Sequence, residues 1–449
     1  MTSLLPDEPE SGAPRARRGP RRRLEDARAA GLPAVCRATG EEDGEEDGGE
    51  DGSGALLEVP DPTTGEVATR VVDTSGVATA GVLARSAASA RESWAWLSGE
   101  DRARHLHALA DALEAAVRPV AVTEALVAGR PVRDGLDVDG PALLDAAFSA
   151  AGWADKLAAV GVRPRPGGVV VLVATWRTPP ADLVAGLVTG LAVGCGVLVR
   201  ARPAAAPLAL LLAGACAGAG LPAGLVGVAP GEDPAADAAL WDAGDLAAVV
   251  ADGPPAALTE LAVELADRGT PLAARPDPAG VDVLLPGADL GAACAAVLRA
   301  VAGGAWRRPG GSRVLVAEPL AAEVLARLSE GAAALRVGHP LDRATDVGPC
   351  PTADVAHAAA SARTRPTAVP ADLPEGGWWA LPGVLVTGPR TAPPPPGPLV
   401  GVRTLRGDAE VPALLAGAGE VTVWGGRSGG GPHRAQDRTG LGLLRRLGG

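Results

Sequence analysis

The apolar positions of this chain follow two rhythms that alternate along its length. Between residues 75 and 132, in "SGVATAGVLARSAASARESWAWLSGEDRARHLHALADALEAAVRPVAVTEALVAGRPV", apolar side chains recur at helical spacing. Ser98 and Asp101 supply helix-start chemistry there, so two or three helices are predicted. "ALLDAAFSAAGWADKLAAV" reads as a further helix. The rhythm then changes. "GGVVVLVATWRTPP" (167–180) is an unbroken apolar run ending in a polar turn, the form of a strand buried on both faces of a parallel sheet. Helix "ADLVAGLVTGLAVGCG", strand "VLVRA", helix "PLALLLAGACAGAG", strand "GLVGVAP" and strand "AAVVAD" follow. This alternation predicts a doubly wound α/β lobe.

The pattern restarts after residue 270. Strand "VDVLLPG", helix "DLGAACAAVLRAVAGG", strand "SRVLVAE", helix "PLAAEVLARLSEGAAAL" and strands "PGVLVTG" and "PLVGVRTL" predict a second α/β lobe. Upstream, "PDPTTGEVATRVV" reads as a strand, a Pro/Gly turn and a second strand, so order is expected from near Leu56. The expected organisation is a disordered charged tail at 1–54, one lobe at 55–270, a second at 271–430 and a loose C-terminal tail at 431–449. The proline-rich "TAPPPPGP" (391–398) is expected to be a loop.

Charge explains the tail. "RARRGPRRR" (15–23) is followed by "EEDGEEDGGEDGSG" (41–54), and such blocks bury too little apolar surface to offset chain entropy. The basic run has the composition of a localisation or anionic-surface signal, or of a segment that binds its own acidic neighbour. The whole chain carries −12 and no basic stripe, which argues against nucleic acid as a partner. No uninterrupted run of about 18 apolar residues exists, so no membrane span is expected. The acidic start lacks a secretory layout, and the five cysteines are scattered without a CxxC. A cytoplasmic, reducing location is expected and no metal site. His105 and His107 point to different faces of one helix. The absence of Tyr, Ile and Asn, with a single Lys (Lys156), tracks the GC content of codons rather than a design.

Five stretches in order give a resemblance. "PDPTTGEV" (60–67) is similar to an opening hairpin, "AAGWADK" (150–156) to a signature, and "GGVVVLVATW" (167–176) to the strand before a Pro-Trp-Asn turn. "AGLPAGLVGVAPG" (219–231) and "VGHPLDRATDVGP" (337–349), with His339 where Asp is usual, complete the set. Together they resemble the aldehyde dehydrogenase superfamily from about residue 58 to 425. The resemblance implies a Rossmann-like NAD(P) lobe beside a catalytic α/β lobe. It also implies a cysteine thiolate that attacks the aldehyde, an oxyanion donor and a general base.

The family positions are altered here. In "GGAWRRPGGSRVLV" (303–316) the nucleophile position falls on Arg308, which stays protonated and cannot attack. Cys294, 14 residues earlier, lies in a predicted helix and reads as a small buried group. The oxyanion-donor position in "TWRTP" is Arg177. The general-base position in "AARPDPAGVD" is Arg275, with Asp277 close by on a loop held by Pro276 and Pro278. Thr175, Trp176, Arg200 and Gly253 are what the resemblance leaves of a cofactor site. A second turn glycine has become Leu258, a ribose-binding Glu falls on Pro203 or Ala204, and a late Glu has become Pro394.

The expectation is therefore a non-catalytic family member, a pseudoenzyme with NAD or NADP binding weak or lost. It would act as scaffold or regulatory partner of an active aldehyde dehydrogenase, as where active and degenerate modules are paired in family 16 of these enzymes. The resemblance implies a subunit-pairing arm beyond "EVTVWGG" (420–426), for which no counterpart is found, so the usual self-assembly is not expected. The alternatives are an active NAD(P)-dependent aldehyde dehydrogenase, an NAD-sensing module, and a chain drifting without selected function.

Overall fold

The computed structural model describes residues 35–36, 55–74, 76–160, 167–277, 279–307, 309–363, 370, 372–388, 393–407, 410–415, 420–425 and 433–435. Its first sheet has five parallel strands: β4 (Val169–Ala174), β5 (Gly196–Ala201), β6 (Val226–Pro230), β7 (Leu246–Gly253) and β8 (Leu272–Pro276). Their order is β6-β5-β4-β7-β8. The unbroken apolar runs are explained by what covers each face. Val170, Leu172, Ala174, Val197 and Val199 pack with α2 (Gly99–Val127), α3 (Gly140–Ala151), α4 (Pro180–Ala192) and α5 (Ala206–Gly218). Val169, Val171, Leu198 and Val249 face the other way, onto α1 (Gly76–Glu92), α6 (Pro234–Trp241) and α7 (Pro255–Ala266). Alternate residues of one strand thus enter two cores, and both faces are largely apolar.

The second sheet is built the same way. It orders β11 (Gly383–Val386), β12 (Leu399–Leu405), β10 (Ser312–Ala317), β9 (Gly280–Leu284), β13 (Glu420–Trp424) and β14 (His433–Ala435) as β11-β12-β10-β9-β13-β14. One face, with Leu284, Val314, Val316 and Val402, packs on α8 (Leu290–Arg307) and α9 (Ala321–Ala334). The other, with Val281, Val283, Leu315 and Val423, packs on α11 (Val411–Leu415). The ninth and eleventh helices bracket α10 (Ala353–Ser361), whose Thr352 cap accepts from Val355 N.

A small third sheet orders β1 (Val35–Cys36), β3 (Val67–Val72) and β2 (Leu56–Pro60) as β1-β3-β2. The turn between β2 and β3 is clasped by a segment from far along the chain. Trp378 N donates to Pro62 O at 2.9 Å. A Cβ on Gly377 would collide with Thr63 O, and one on Gly376 (φ +84°) would stand 2.6 Å from Thr64 O. Among the described residues, no helix is long and apolar enough to cross a membrane.

Four expectations need correction. The first lobe does not end at 270: Val249–Gly253 pair in parallel with Leu272–Pro276, so the chain changes sheets at 277–279. The edge strand escaped notice because its burial is shallow and gives no continuous apolar run. The predicted helix over "GWADKLAAV" stops at Ala151; Lys156 N donates to Trp153 O and turns replace the helix. The 431–449 segment is not wholly loose, since Val421–Val423 pair antiparallel with His433–Ala435. Within the 1–54 tail, Val35–Cys36 pair in parallel with Arg70–Val71, and residues 1–34 and 37–54 lie outside the described residues.

Ser98 does cap α2, its Oγ accepting from Asp101 N at 3.0 Å. Near the other end of this helix, Glu124 is only 7% exposed, beside the Arg130–Asp139 pair at 2.6 Å. Burial pushes its carboxyl from 4.5 up to about 7; Arg130 offsets part of this and Asp139 adds to it. Between those pH values the folded chain keeps a proton that the unfolded chain releases, so stability falls as pH rises through the window. Glu124→Gln is expected to remove that slope and to be more stable than the parent at pH 8, by on the order of 3 kcal/mol. Urea denaturation across this range checks it; parallel profiles for the two proteins would refute it.

Candidate functional site

Four segments meet at the C-terminal ends of the first sheet's strands, the usual place for a ligand in an open α/β fold. The turn after β4 is wound tightly. Thr175 N donates to Thr178 Oγ1 (3.2 Å), Thr178 N to Thr175 O (3.0 Å), and Arg177 N to Thr175 Oγ1 (3.1 Å). Trp176 leans on the cluster of Cys350, Val355, Ala359, Ala380 and Leu399. The Arg177 guanidinium lies over its ring, Cζ 4.3 Å from the centroid.

That guanidinium is already committed. Arg177 Nη1 stands 2.5 Å from Asp277 Oδ2, and the Asp277 side chain is 5% exposed. The same nitrogen donates to Pro309 O at 3.4 Å. Asp277 N in turn donates to Gly253 O at 2.8 Å. Burial raises the Asp277 carboxyl, while Arg177 pulls it back. Arg275 is held likewise. Its Nε stands 2.7 Å from Asp252 Oδ1, Nη2 donates to Asp252 Oδ2 at 3.1 Å, and Nη1 donates to Asp182 O at 3.3 Å. Burial raises the Asp252 carboxyl, with Arg275 and a bond from Thr178 opposing.

The structure thus brings together the positions of Arg177, Arg275, Gly253 and the turn after α8. Pro394 joins them, its carbonyl pressed against Gly311 (φ +88°). Arg308 lies outside the described residues. Asp277, considered as a displaced base, is instead the counter-charge of Arg177. Sequence reading missed Asp252 and Asp182, because an Asp at a strand end or in a helix's first turn carries no signal of the arginine it will meet.

Cys195, Cys216, Cys294 and Cys350 are all buried. Cys294 sits in α8, packed in the second lobe's core, and burial raises its thiol. Burial pushes Cys216 and Cys350 up to about 12 and raises Cys195. A thiolate nucleophile needs the opposite environment.

Arg200 is fully buried and turned into the protein, which corrects its assignment to a ribose contact. Its Nε donates to Asp237 Oδ1 at 2.7 Å, and its other nitrogens donate to Thr74 O, Ala229 O and Asp233 O. Arg202 Nη2 takes the second Asp237 oxygen at 2.6 Å. Gly253 ends β7 with open space beyond its Cα. The helix after it, however, starts on Pro254 and Pro255, so two amides that would face a pyrophosphate have no hydrogen. Of the residues that the resemblance aligns with a dinucleotide site, Arg200 is bonded to internal acceptors and the turn after Gly253 carries two prolines. Among the described residues, no cluster of His, Cys, Asp and Glu is suited to a metal ion.

Asp277→Asn leaves the Arg177 guanidinium without its counter-charge in a mostly dry site. It is expected to destabilise by about 3 kcal/mol, and Arg177→Met combined with it to cost less than the single change. Denaturation of the two singles and the double closes the cycle; additive losses would show that the pair is not coupled.

Known proteins place this architecture. The sequence model described as "Aldehyde dehydrogenase family" matches residues 50–378. The fold is that of an NAD-dependent aldehyde dehydrogenase from Sinorhizobium meliloti, at TM-score 0.76 and 20% identity over 88% of this chain and 82% of that one. It is equally similar to the NAD+ complex of an aldehyde dehydrogenase from Bacillus cereus, at TM-score 0.74 and 21% identity over 88% and 84%. PnpE from Pseudomonas sp. WBC-3 matches at TM-score 0.72 and 22% identity over 82% of each. With the family pattern running through most of its length and the α/β lobes to match, the chain belongs to the aldehyde dehydrogenase family.

Proposed function

We propose that this chain is a non-catalytic aldehyde dehydrogenase homologue that acts by binding protein, as scaffold or regulatory partner of an active relative. One observation carries the reading: the family's oxyanion and base positions hold arginines neutralised by their own buried aspartates, Arg177 with Asp277 and Arg275 with Asp252. Aldehyde oxidation in this family needs a thiolate, a free donor for the developing oxyanion, and a base that can take a proton from water. The first position is Arg308, the second donor is already bonded to a carboxylate, and the third is a cation. NAD or NADP binding is weak or lost on the same reading, since Arg200 is consumed by Asp237.

A nucleotide-sensing role is the second reading. The space beyond Gly253 and the NAD-bound state of the Bacillus cereus neighbour favour it. Titration of NAD and NADH, read by tryptophan quenching, separates the two. The scaffold reading expects no saturation up to millimolar nucleotide, and micromolar saturation would overturn it. Arg308→Cys is expected to yield no NADH from aldehydes, because base and oxyanion donor stay absent; turnover from that single change would show a site still competent. Sedimentation of an equimolar mixture with an active aldehyde dehydrogenase from the same cell is expected to give a mixed assembly, and independent boundaries would count against the partner role.

A further inference from the structure

The turn that follows α2 is held from two sides. On the outside it is gripped by the second lobe. Val132 N donates to Pro340 O at 2.7 Å, and Arg133 Nη1 to Asp346 Oδ1 at 3.0 Å. A Cβ on Gly348 would collide with Gly129 O, and one on Gly129 (φ +77°) would stand 2.7 Å from Pro349 O, so the two backbones touch. Arg343 reaches Asp137 across the same seam at 3.4 Å. On the inside the turn is held by charge. A one-turn helix, Val132–Asp134, runs into a π-helical turn, Gly135–Asp139, that leads into α3. This segment lies tight on α2: a Cβ on Gly135 would stand 2.7 Å from Ala121 Cβ, and one on Gly140 2.5 Å from Val117 Cγ1. It carries Asp139 back to Arg130, Oδ1 to Nη2 at 2.6 Å, with side chains 13% and 8% exposed. Glu124 joins them from the last turn of α2, where its carbonyl accepts from Ala128 N and Arg130 N.

The charges that act on the Glu124 carboxyl are Arg130, which favours its ionisation, and Asp139, which opposes it. Arg118 lies six residues back on α2, about 120° away around the helix. Arg133 is turned to Asp134 and Asp346. Two carboxyls thus share one buried guanidinium, and a second negative charge beside it is costly. We propose that Glu124, Arg130 and Asp139 form a proton-operated latch on the seam between the lobes. With Glu124 protonated, Arg130 is given wholly to Asp139, the turn is held, and residues 337–349 keep their seat on it. With both carboxyls ionised, each repels the other and competes for Arg130, and the turn relaxes to bring one of them to water. The seam then opens locally while the sheets stay folded. Burial has pushed the Glu124 carboxyl from 4.5 up to about 7, which sets the pH range in which the latch works.

Hydrogen exchange of the full-length protein at about pH 6 and about pH 8, corrected for the intrinsic rate at each, tests it. Residues 129–133 and 337–349 are expected to exchange faster than β4 at both values, by opening without global unfolding. Their protection is expected to fall about tenfold from the lower pH to the higher, since a carboxyl released to water returns to its free value. Glu124→Gln is expected to abolish that fall. Asp139→Asn is expected to flatten it too, by leaving Arg130 to Glu124, so the result does not hang on one variant folding. Absence of the fall in the parent protein overturns the proposal. Exchange of the two segments that coincides with that of β4 also overturns it, and leaves Glu124 a determinant of global stability alone. A fall that survives Glu124→Gln overturns it as well. Its loss in His339→Asn would then assign the switch to His339, whose Nδ1 accepts from Leu341 N at 3.2 Å in the same loop.

Discussion

A parallel sheet exposes no face to water without losing its core, and this constraint governs the molecule. The inner strands of the two main sheets are largely apolar on both sides under covering helices, and the buried exceptions, Arg200 in β5 and Asp282 in β9, are bonded to Asp237 and to the Trp424 indole. The polar chemistry of such a protein is therefore driven to the strand ends. Val169–Ala174 supply only packing, and the next residues, Thr175 to Thr178, supply the turn that reaches the other lobe. The same holds at the end of β7, where Asp252 and Gly253 succeed buried Val249 and Ala251. These ends hold Arg177, Arg275 and the aspartates that pair with them, outside the two cores.

An arginine placed in a partly dry pocket needs a counter-charge, and each one here found an aspartate on a neighbouring element. Asp277 answers Arg177 from the segment between the sheets, Asp252 answers Arg275 from the adjacent strand, and Asp237 answers both Arg200 and Arg202. The network is a set of ionic cross-links between neighbouring elements. Arg177 alone joins the turn after β4 to the crossing segment at Asp277 and the carbonyl of Pro309, so one side chain ties three segments together.

The sequence revealed the sheets well and the pairings poorly, for physical reasons. Double-sided burial leaves a signature in the chain, and β4, β5, β9 and β10 were all legible from it. The edge strand Leu272–Pro276 was not, because its Ala273 and Ala274 are exposed and its only partner is β7. Arg177 and Arg275 could be aligned to their family positions from local counting. That their charges would be cancelled was invisible, since Asp277 and Asp252 are brought to them by the β7–β8 pairing and by the sheet-to-sheet crossing rather than by sequence proximity. Arg200 shows the same limit: a strand-end arginine aligned with a ligand contact is, in three dimensions, the core of an ion-paired cluster with Asp237.

The clasp between the β2–β3 turn and the segment at Gly376–Trp378 has a consequence for how the chain is made. The turn is synthesised among the first ordered residues, and its cover emerges from the ribosome only when most of the chain has been translated. Until then Pro62 and its neighbours lack the backbone partner that Trp378 provides. The N-terminal lobe thus leaves the ribosome with one flank open and closes it last. Emergence of the Gly376–Trp378 segment, rather than completion of the first lobe, is the event that closes this flank, and the interval before it is when holding by a chaperone would matter most.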